Sequence, residues 1–416
     1  MSRLTGAEFR GDGEPQLPAG RLRRWATRAV GLLVCLTAVL TPRPAAAQQT
    51  IAEALTFLLN GRPLPVDPFV PSVPVDRSPA EALAGALRSD LGVRPMTSPG
   101  GGLSYEWNAA LGTLTRPTDS FGPVFISRAR GIGERRASIS FGVRQIEFDA
   151  VDGRPLTAGR LVAAESTVAG EAMPFDIQSV ALRIRARTAT FTGQVGVADR
   201  LDFVVAVPFV DLTLSGERID TYRGTPLPQA TAFASASGLG DVVMRGQFQL
   251  VQDGPRALAV IGEVRLPTGN TANSLGTGER RLAPHAVGSI ELRRMTVHAQ
   301  LGYVFGERAD AVHYGGAITV APAARVTLTG EVLGRTDFDA PRLGTITVSH
   351  PTLVGVKTSL LAATTATSHR LAAVLGVKWN VAGAWLLNAN VLHALTDVGF
   401  TTRWSPSVTF DYFFQQ

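Results

Sequence analysis

The chain has 416 residues, of which 45% are hydrophobic and 18% charged, with 43 Gly, 26 Pro, one Cys and a formal net charge of +6. That balance is too apolar for a disordered chain, too charged for a bundle of membrane helices and too rich in glycine for a coiled coil. The single Cys35 excludes a disulfide framework and a cysteine zinc site.

The basic excess belongs to the N-terminus. Residues 1–47 hold seven Arg against Glu8, Asp12 and Glu14; without them thirty-three basic residues face thirty-one acidic ones. No nucleic-acid partner is therefore expected. Arg21, Arg23, Arg24 and Arg28 precede the apolar run Ala29–Leu40, and Ala45-Ala46-Ala47 stands ahead of Gln48. A basic region, a short apolar core and a small-residue site are what signal peptidase reads, so cleavage after Ala47 is expected. The twelve residues of that run are too few to span a bilayer.

Residues 48–120 read as a segment with two short helices. Thr50-Ile51-Ala52-Glu53 and Ser78-Pro79-Ala80-Glu81 are capping-box starts, the second with Pro at the first helical position. Leu83, Leu87 and Leu91 then form a narrow apolar stripe. The Pro-rich run 62–74 separates the two, and Gly100-Gly101-Gly102 follows. The segment is expected to pack as a plug into the domain that follows; the alternative is a periplasmic tail.

From residue 121 to 416 the pattern is alternation with a period of two. Val297, Ala299, Leu301, Tyr303 and Phe305 oppose His298 and Gln300; Trp404, Pro406, Val408, Phe410, Tyr412 and Phe414 oppose Arg403, Ser405, Ser407, Thr409 and Asp411. Side chains on a strand point alternately to opposite faces, so each such segment is a strand with one oily and one polar side. Strands are expected near 136–149, 177–197, 200–215, 239–252, 256–267, 284–293, 296–306, 311–321, 325–336, 369–380, 384–396 and 401–414. Leu103–Trp107 and Phe121–Arg130 bring the number from twelve to fourteen if they are strands too. Short connectors alternate with long links near 150–176, 216–238, 268–283 and 337–368. Strands of ten or more residues with short turns at one end and long loops at the other indicate an all-β, antiparallel transmembrane β-barrel, with a soluble periplasmic or secreted β protein as the alternative. Two strands change phase midway, around Thr188 and Pro208, as a bulge or a strand continuing beyond the bilayer requires.

The polar faces supply the candidate lumen: Arg183, Arg185, Arg187, Arg245, Glu263, Arg265, Glu291 and Lys378 are expected to line it. Arg183, Arg185 and Arg187 share one strand face and read either as a cationic ladder or as a solvated face. The six His stand at 285, 298, 313, 350, 369 and 393 with no pair at metal-ligand spacing, so neither metal nor cofactor is expected. His285 and His298 fall on polar faces. His393 continues an apolar face and reads as an interfacial residue, or as the base of a lipid-modifying enzyme if a Ser lies beside it.

Ser237-Gly238-Leu239-Gly240-Asp241 opens a strand, Gly262-Glu263-Val264-Arg265-Leu266-Pro267-Thr268-Gly269 closes the next, and Leu301-Gly302-Tyr303-Val304-Phe305-Gly306 follows. Over residues 120–414 these motifs resemble the outer-membrane proteins grouped as the phenol meta-pathway degradation family. That family is similar to the long-chain fatty-acid transporters, whose barrels hold an N-terminal hatch. The resemblance implies an outer-membrane channel for passive uptake or efflux of small, hydrophobic or aromatic solutes. Its implied partners are outer-membrane lipid, the solute and the barrel-assembly machinery. A non-conducting structural or adhesive barrel is the alternative.

Overall fold

In the computed structural model the described residues are 49–59, 79–92, 95–98, 106–108, 113–115, 119–157, 159–292, 294–349 and 353–414. The expected cleavage after Ala47 and the Pro-rich run 62–74 lie outside them.

Twelve antiparallel strands form the barrel. They are β1 (Ala137–Phe148), β2 (Asp176–Ala198), β3 (Leu201–Tyr222), β4 (Val242–Asp253), β5 (Arg256–Leu266) and β6 (Arg281–Leu292). The ring continues with β7 (Met295–Gly306), β8 (Ala311–Ala323), β9 (Val326–Ser349), β10 (Val356–Ala382), β11 (Trp385–Ala394) and β12 (Ser405–Phe414). Each pairs with its neighbour, and β12 pairs with β1, so the ring closes. Closure gives every strand a partner on both sides, which hydrocarbon demands because it offers no hydrogen bonds of its own.

The number is twelve and not fourteen. Glu106–Asn108 pairs only with Thr113–Thr115, and Phe121–Arg130 forms no strand. Gly122 sits at φ 77°, where an added Cβ would press on the Arg128 side chain, and Pro123 has no backbone donor.

Two-residue turns at 199–200, 254–255, 324–325 and 383–384, and the link from β6 to β7, all lie at one end of the barrel; in outer-membrane barrels this end faces the periplasm. At the other end β2, β3, β9 and β10 run to between 22 and 27 residues. Strand Thr225–Leu239 pairs with the upper half of β3, and Leu161–Val168 bridges the tops of β2 and β10. The expected long loops at 216–238 and 337–368 are thus largely tall strands. Above the bilayer neither face is required to be oily, so the alternation that betrays a strand is missing.

Outward positions are apolar around the ring: Val297, Leu301 and Phe305 on β7, Leu375 and Trp379 on β10, and Val408, Phe410 and Phe414 on β12 are exposed. Along β12 the apolar outer positions run from Trp404 to Phe414. At about 3.4 Å per residue and a tilt near 45° they cover about 25 Å of height, the thickness of a hydrocarbon band. Trp385 and Tyr412, rings 4.7 Å apart, mark its lower edge.

The phase change of β2 and β3 marks the upper edge. Their pairing is continuous from Asp176↔Tyr222 to Gly196↔Asp202, without a bulge. Even-numbered residues are the more buried set on both sides of the phase change, 180–186, 192 and 196 on β2 and 202–206, 210–214, 218 and 220 on β3 among them, while the outer face turns from Ala189 and Phe209 to the next outward pair, Arg187 and Asp211. The strands leave the bilayer there.

Above that edge the barrel interior is mostly apolar, with the buried Arg218–Asp220 pair among the exceptions. Helix α1 (Ile51–Leu59) and helix α2 (Pro79–Gly92) bury Ile51, Leu55, Leu58, Leu83 and Leu87 against Ile146, Phe148, Leu182, Leu212 and Leu214 of the wall. The first capping box forms as expected: Thr50 N donates to Glu53 Oε2 at 2.8 Å, and Glu53 N to Thr50 Oγ1 at 3.2 Å.

Candidate functional site

Residues 119–136 cross the lumen before the chain enters β1. Their backbone donors, which a strand would give to a neighbour, are taken one after another by side chains of the wall. Phe121 N donates to Thr327 Oγ1 at 2.9 Å. The Glu331 carboxylate accepts from Val124 N and from Phe125 N and Ile126 N, the last two at 3.0 Å. Ser127 N reaches Gln300 Oε1 at 3.0 Å, Ala129 N Ser289 Oγ at 3.1 Å, and Ile132 N Asp202 Oδ2 at 2.8 Å. From the wall, Lys378 Nζ donates to Pro123 O at 2.6 Å.

Apolar contacts complete the strap. Phe121 packs on Leu386 and Phe413, Val124 and Phe125 on Val374, and Ala129 on Ala259 and Ile261. Arg135 N bonds Gly196 O at 3.0 Å. At Gly196 any Cβ would overlap the carbonyl oxygen of Gly133, so only glycine admits the strap this close to β2.

Between this strap below and the helices above lie two cavities. Both are partly open: one spans about 780 Å³ of empty space and the other about 1230 Å³, and both reach Pro95, Met96 and Arg265. The larger is amphipathic. Phe125, Ile126, Leu333, Leu371 and Phe400 line one part, and Arg265, His285, Gln300, His313, Arg335 and Arg370 the other. The polar part follows one row of the wall, because cross-strand pairing sets His285 opposite Gly302, Gly302 opposite His313, His313 opposite Arg335, and Arg335 opposite Arg370. The His285 and His313 rings stack at 6.0 Å over the glycine between them.

Carboxylates tie the arginines together. Arg245 Nη2 pairs with Glu263 Oε2 at 2.6 Å, and Arg265 stands 3.7 Å from the same carboxylate. Asp337 holds both Arg335 and Arg370. Asp90 of α2 pairs with Arg370 and accepts from Phe400 N at 2.6 Å, so the helix is fastened to the wall through the basic row.

The expected lumen residues divide. Arg245, Glu263, Arg265, Glu291 and Lys378 face inward: Glu291 pairs with Arg130 of the strap at 3.0 Å, and Lys378 is 1% exposed beneath it. Arg183, Arg185 and Arg187 do not join them. They sit on the outer face of β2 above the hydrocarbon edge, and Glu147 pairs with Arg183 and Arg185. The wall exchanges its polar and apolar sides where it leaves the bilayer, near the phase change at Thr188, so the three form the solvated face and not a cationic ladder in the lumen. Glu331, Asp202, Arg335 and Arg370 were not selected from the sequence, although Glu331 and Arg335 share a polar face.

His298 Nδ1 meets Ser289 Oγ at 2.8 Å, and His285 Nδ1 lies 3.3 Å from Gln300 Nε2. Among the described residues no group of three or more His, Cys, Asp or Glu is placed to hold a metal ion. His393 lies at the upper edge of the oily band, donating from Nδ1 to Arg403 O at 2.6 Å with its ring 4.4 Å from Trp404.

A family model described as "Putative MetA-pathway of phenol degradation" matches residues 158–401, more than half of the chain. No curated protein matches significantly. Among solved structures, an outer membrane channel from Pseudomonas putida F1 is 12% identical, with 67% of this chain and 96% of that one covered at a TM-score of 0.39. The KdgM porin is 7% identical, covering 67% of this chain and 99% of its own at 0.37. The translocator domain of the autotransporter NalP from Neisseria meningitidis is 11% identical, covering 69% and 90% at 0.34.

Proposed function

The chain belongs to the MetA-pathway phenol-degradation family, and we propose that it is an outer-membrane channel through which small, hydrophobic or aromatic solutes pass without an energy source. The observation that carries this reading is an amphipathic chamber inside a closed barrel with an oily exterior. Helices close the chamber above and the strap closes it below. A solute enters past the helices, rests in the chamber and leaves when the strap shifts. The strap suits a movable closure, because side chains hold it through its backbone and no strand pairing has to break. The barrel-assembly machinery inserts the product, reading the aromatic face of β12.

Proteoliposomes bearing lipopolysaccharide test the reading. Uptake of radiolabelled small aromatic solutes is expected to exceed that of protein-free vesicles, and planar bilayers are expected to show small, intermittent conductance. An absence of both leaves a non-conducting structural barrel.

A further inference from the structure

We propose that the larger cavity is a binding site for a small amphipathic monoanion, an aromatic or short aliphatic carboxylate, an inference that rests on the channel reading. Arg245, Arg265, Arg335 and Arg370 on the wall of the larger cavity outnumber Asp90 and Glu263 of the same wall and Asp337, which pairs with two of them, by one charge; Arg144 and Asp241 line the smaller cavity and cancel. Asp241 is moreover engaged by its own loop, accepting from Gly269 N, Thr277 N and Thr277 Oγ1. Arg335 and Arg370 stand directly opposite each other on β9 and β10, a like-charge arrangement that a sheet tolerates only with anions beside it, and Asp337 and Asp90 are the two the wall and α2 supply.

Donor geometry points the same way. Arg335 Nη1 and His313 Nε2 come from cross-strand partners facing the lumen, and both are buried without a hydrogen-bond partner among the described residues. A carboxylate is planar, accepts two parallel bonds from one guanidinium and supplies the missing charge. The remainder of the ligand must be apolar, because Phe125, Leu333, Leu371 and Phe400 form the facing surface. A neutral hydrocarbon leaves the one excess positive charge unmatched, and an ammonium adds to it.

Equilibrium dialysis of the full chain, refolded in a neutral detergent, tests the site with radiolabelled benzoate, benzyl alcohol and benzylamine. Benzoate is expected to bind saturably at one per chain, with benzyl alcohol weaker by about tenfold or more and benzylamine showing no saturable binding. Arg335→Gln is expected to weaken benzoate by about tenfold or more, Arg335→Lys by less, and Arg185→Gln on the outer face not at all. Benzyl alcohol or benzylamine binding as tightly as benzoate, or an unchanged Arg335→Gln, overturns the proposal. Vesicle flux separates it from its premise: saturable benzoate binding without flux of any solute removes the channel and keeps the site, whereas flux without benzoate binding does the reverse.

Discussion

Glu331 gathers three consecutive backbone N–H groups onto one carboxylate in the barrel wall. Removing it strands those donors, and each buried donor left unmet costs about 1–3 kcal/mol. The strap relieves that cost by leaving the wall. Glu331→Ala is therefore expected to raise the open fraction in planar bilayers about tenfold or more while the barrel remains folded. An unchanged conductance trace contradicts the role given to the strap. Gly196→Ala acts at the other anchor, where the new methyl meets the Gly133 carbonyl, and is expected to loosen the strap in the same direction. On the outside the discriminating pair is Leu375, 68% exposed in the oily band, and Arg185, exposed above it. Leu375→Arg is expected to cost about 2–4 kcal/mol in urea titrations from vesicles, whereas Arg185→Ala stays within about 0.5 kcal/mol. Alternation alone placed Glu263, Arg245 and Lys378 on polar strand faces; that those faces point inward followed only from the membrane-barrel reading, which rests on the leader, the strand length and the aromatic last strand. The work of Glu331 was not legible, because no pattern within β9 announces that its partners are backbone groups two hundred residues earlier.

Among the elements, α1 and α2 owe their place to an apolar face meeting an apolar wall, and Leu55 and Leu83 are fully buried there. Leu→Ala at either site is expected to cost about 2–5 kcal/mol. That loss should fall on helix docking and not on the ring, whose pairing is complete without the helices. Trypsin cleavage after Arg88 is expected to accelerate about tenfold or more, with the heat-modifiable electrophoretic mobility of the barrel unchanged. Equal loss of both contradicts a separately docked cap. The strands within the bilayer were read to within a few residues because oil outside and polar groups inside impose a strict period of two. The tall extensions were hidden for the same reason, since Thr225–Leu239 and the upper parts of β9 and β10 stand clear of lipid. Whether Phe121–Arg130 is a strand stayed open in the sequence because Phe121, Pro123 and Phe125 mimic alternation, and local sequence does not reveal that a segment lies inside a ring.

At the scale of the whole molecule, one arrangement decides the rest: outward residues meet acyl chains between the Trp385–Tyr412 and His393–Trp404 levels, and inward residues meet the strap, the chamber or the helices. The only cysteine is Cys35, so residues 48–416 form a natural background for single-cysteine spin labelling. Labels at Val297, His298, Gln300 and Leu301 on β7, and at Arg185 and Val195 on β2, sample both faces and both sides of the hydrocarbon edge. Relaxation by oxygen, which concentrates in lipid, is expected to dominate at 195, 297 and 301. Relaxation by a water-soluble nickel chelate should dominate at 185, and positions 298 and 300 should be shielded from lipid. Oxygen accessibility at 298 and 300 equal to that at 297 and 301, or a lipid signature at 185, contradicts the account.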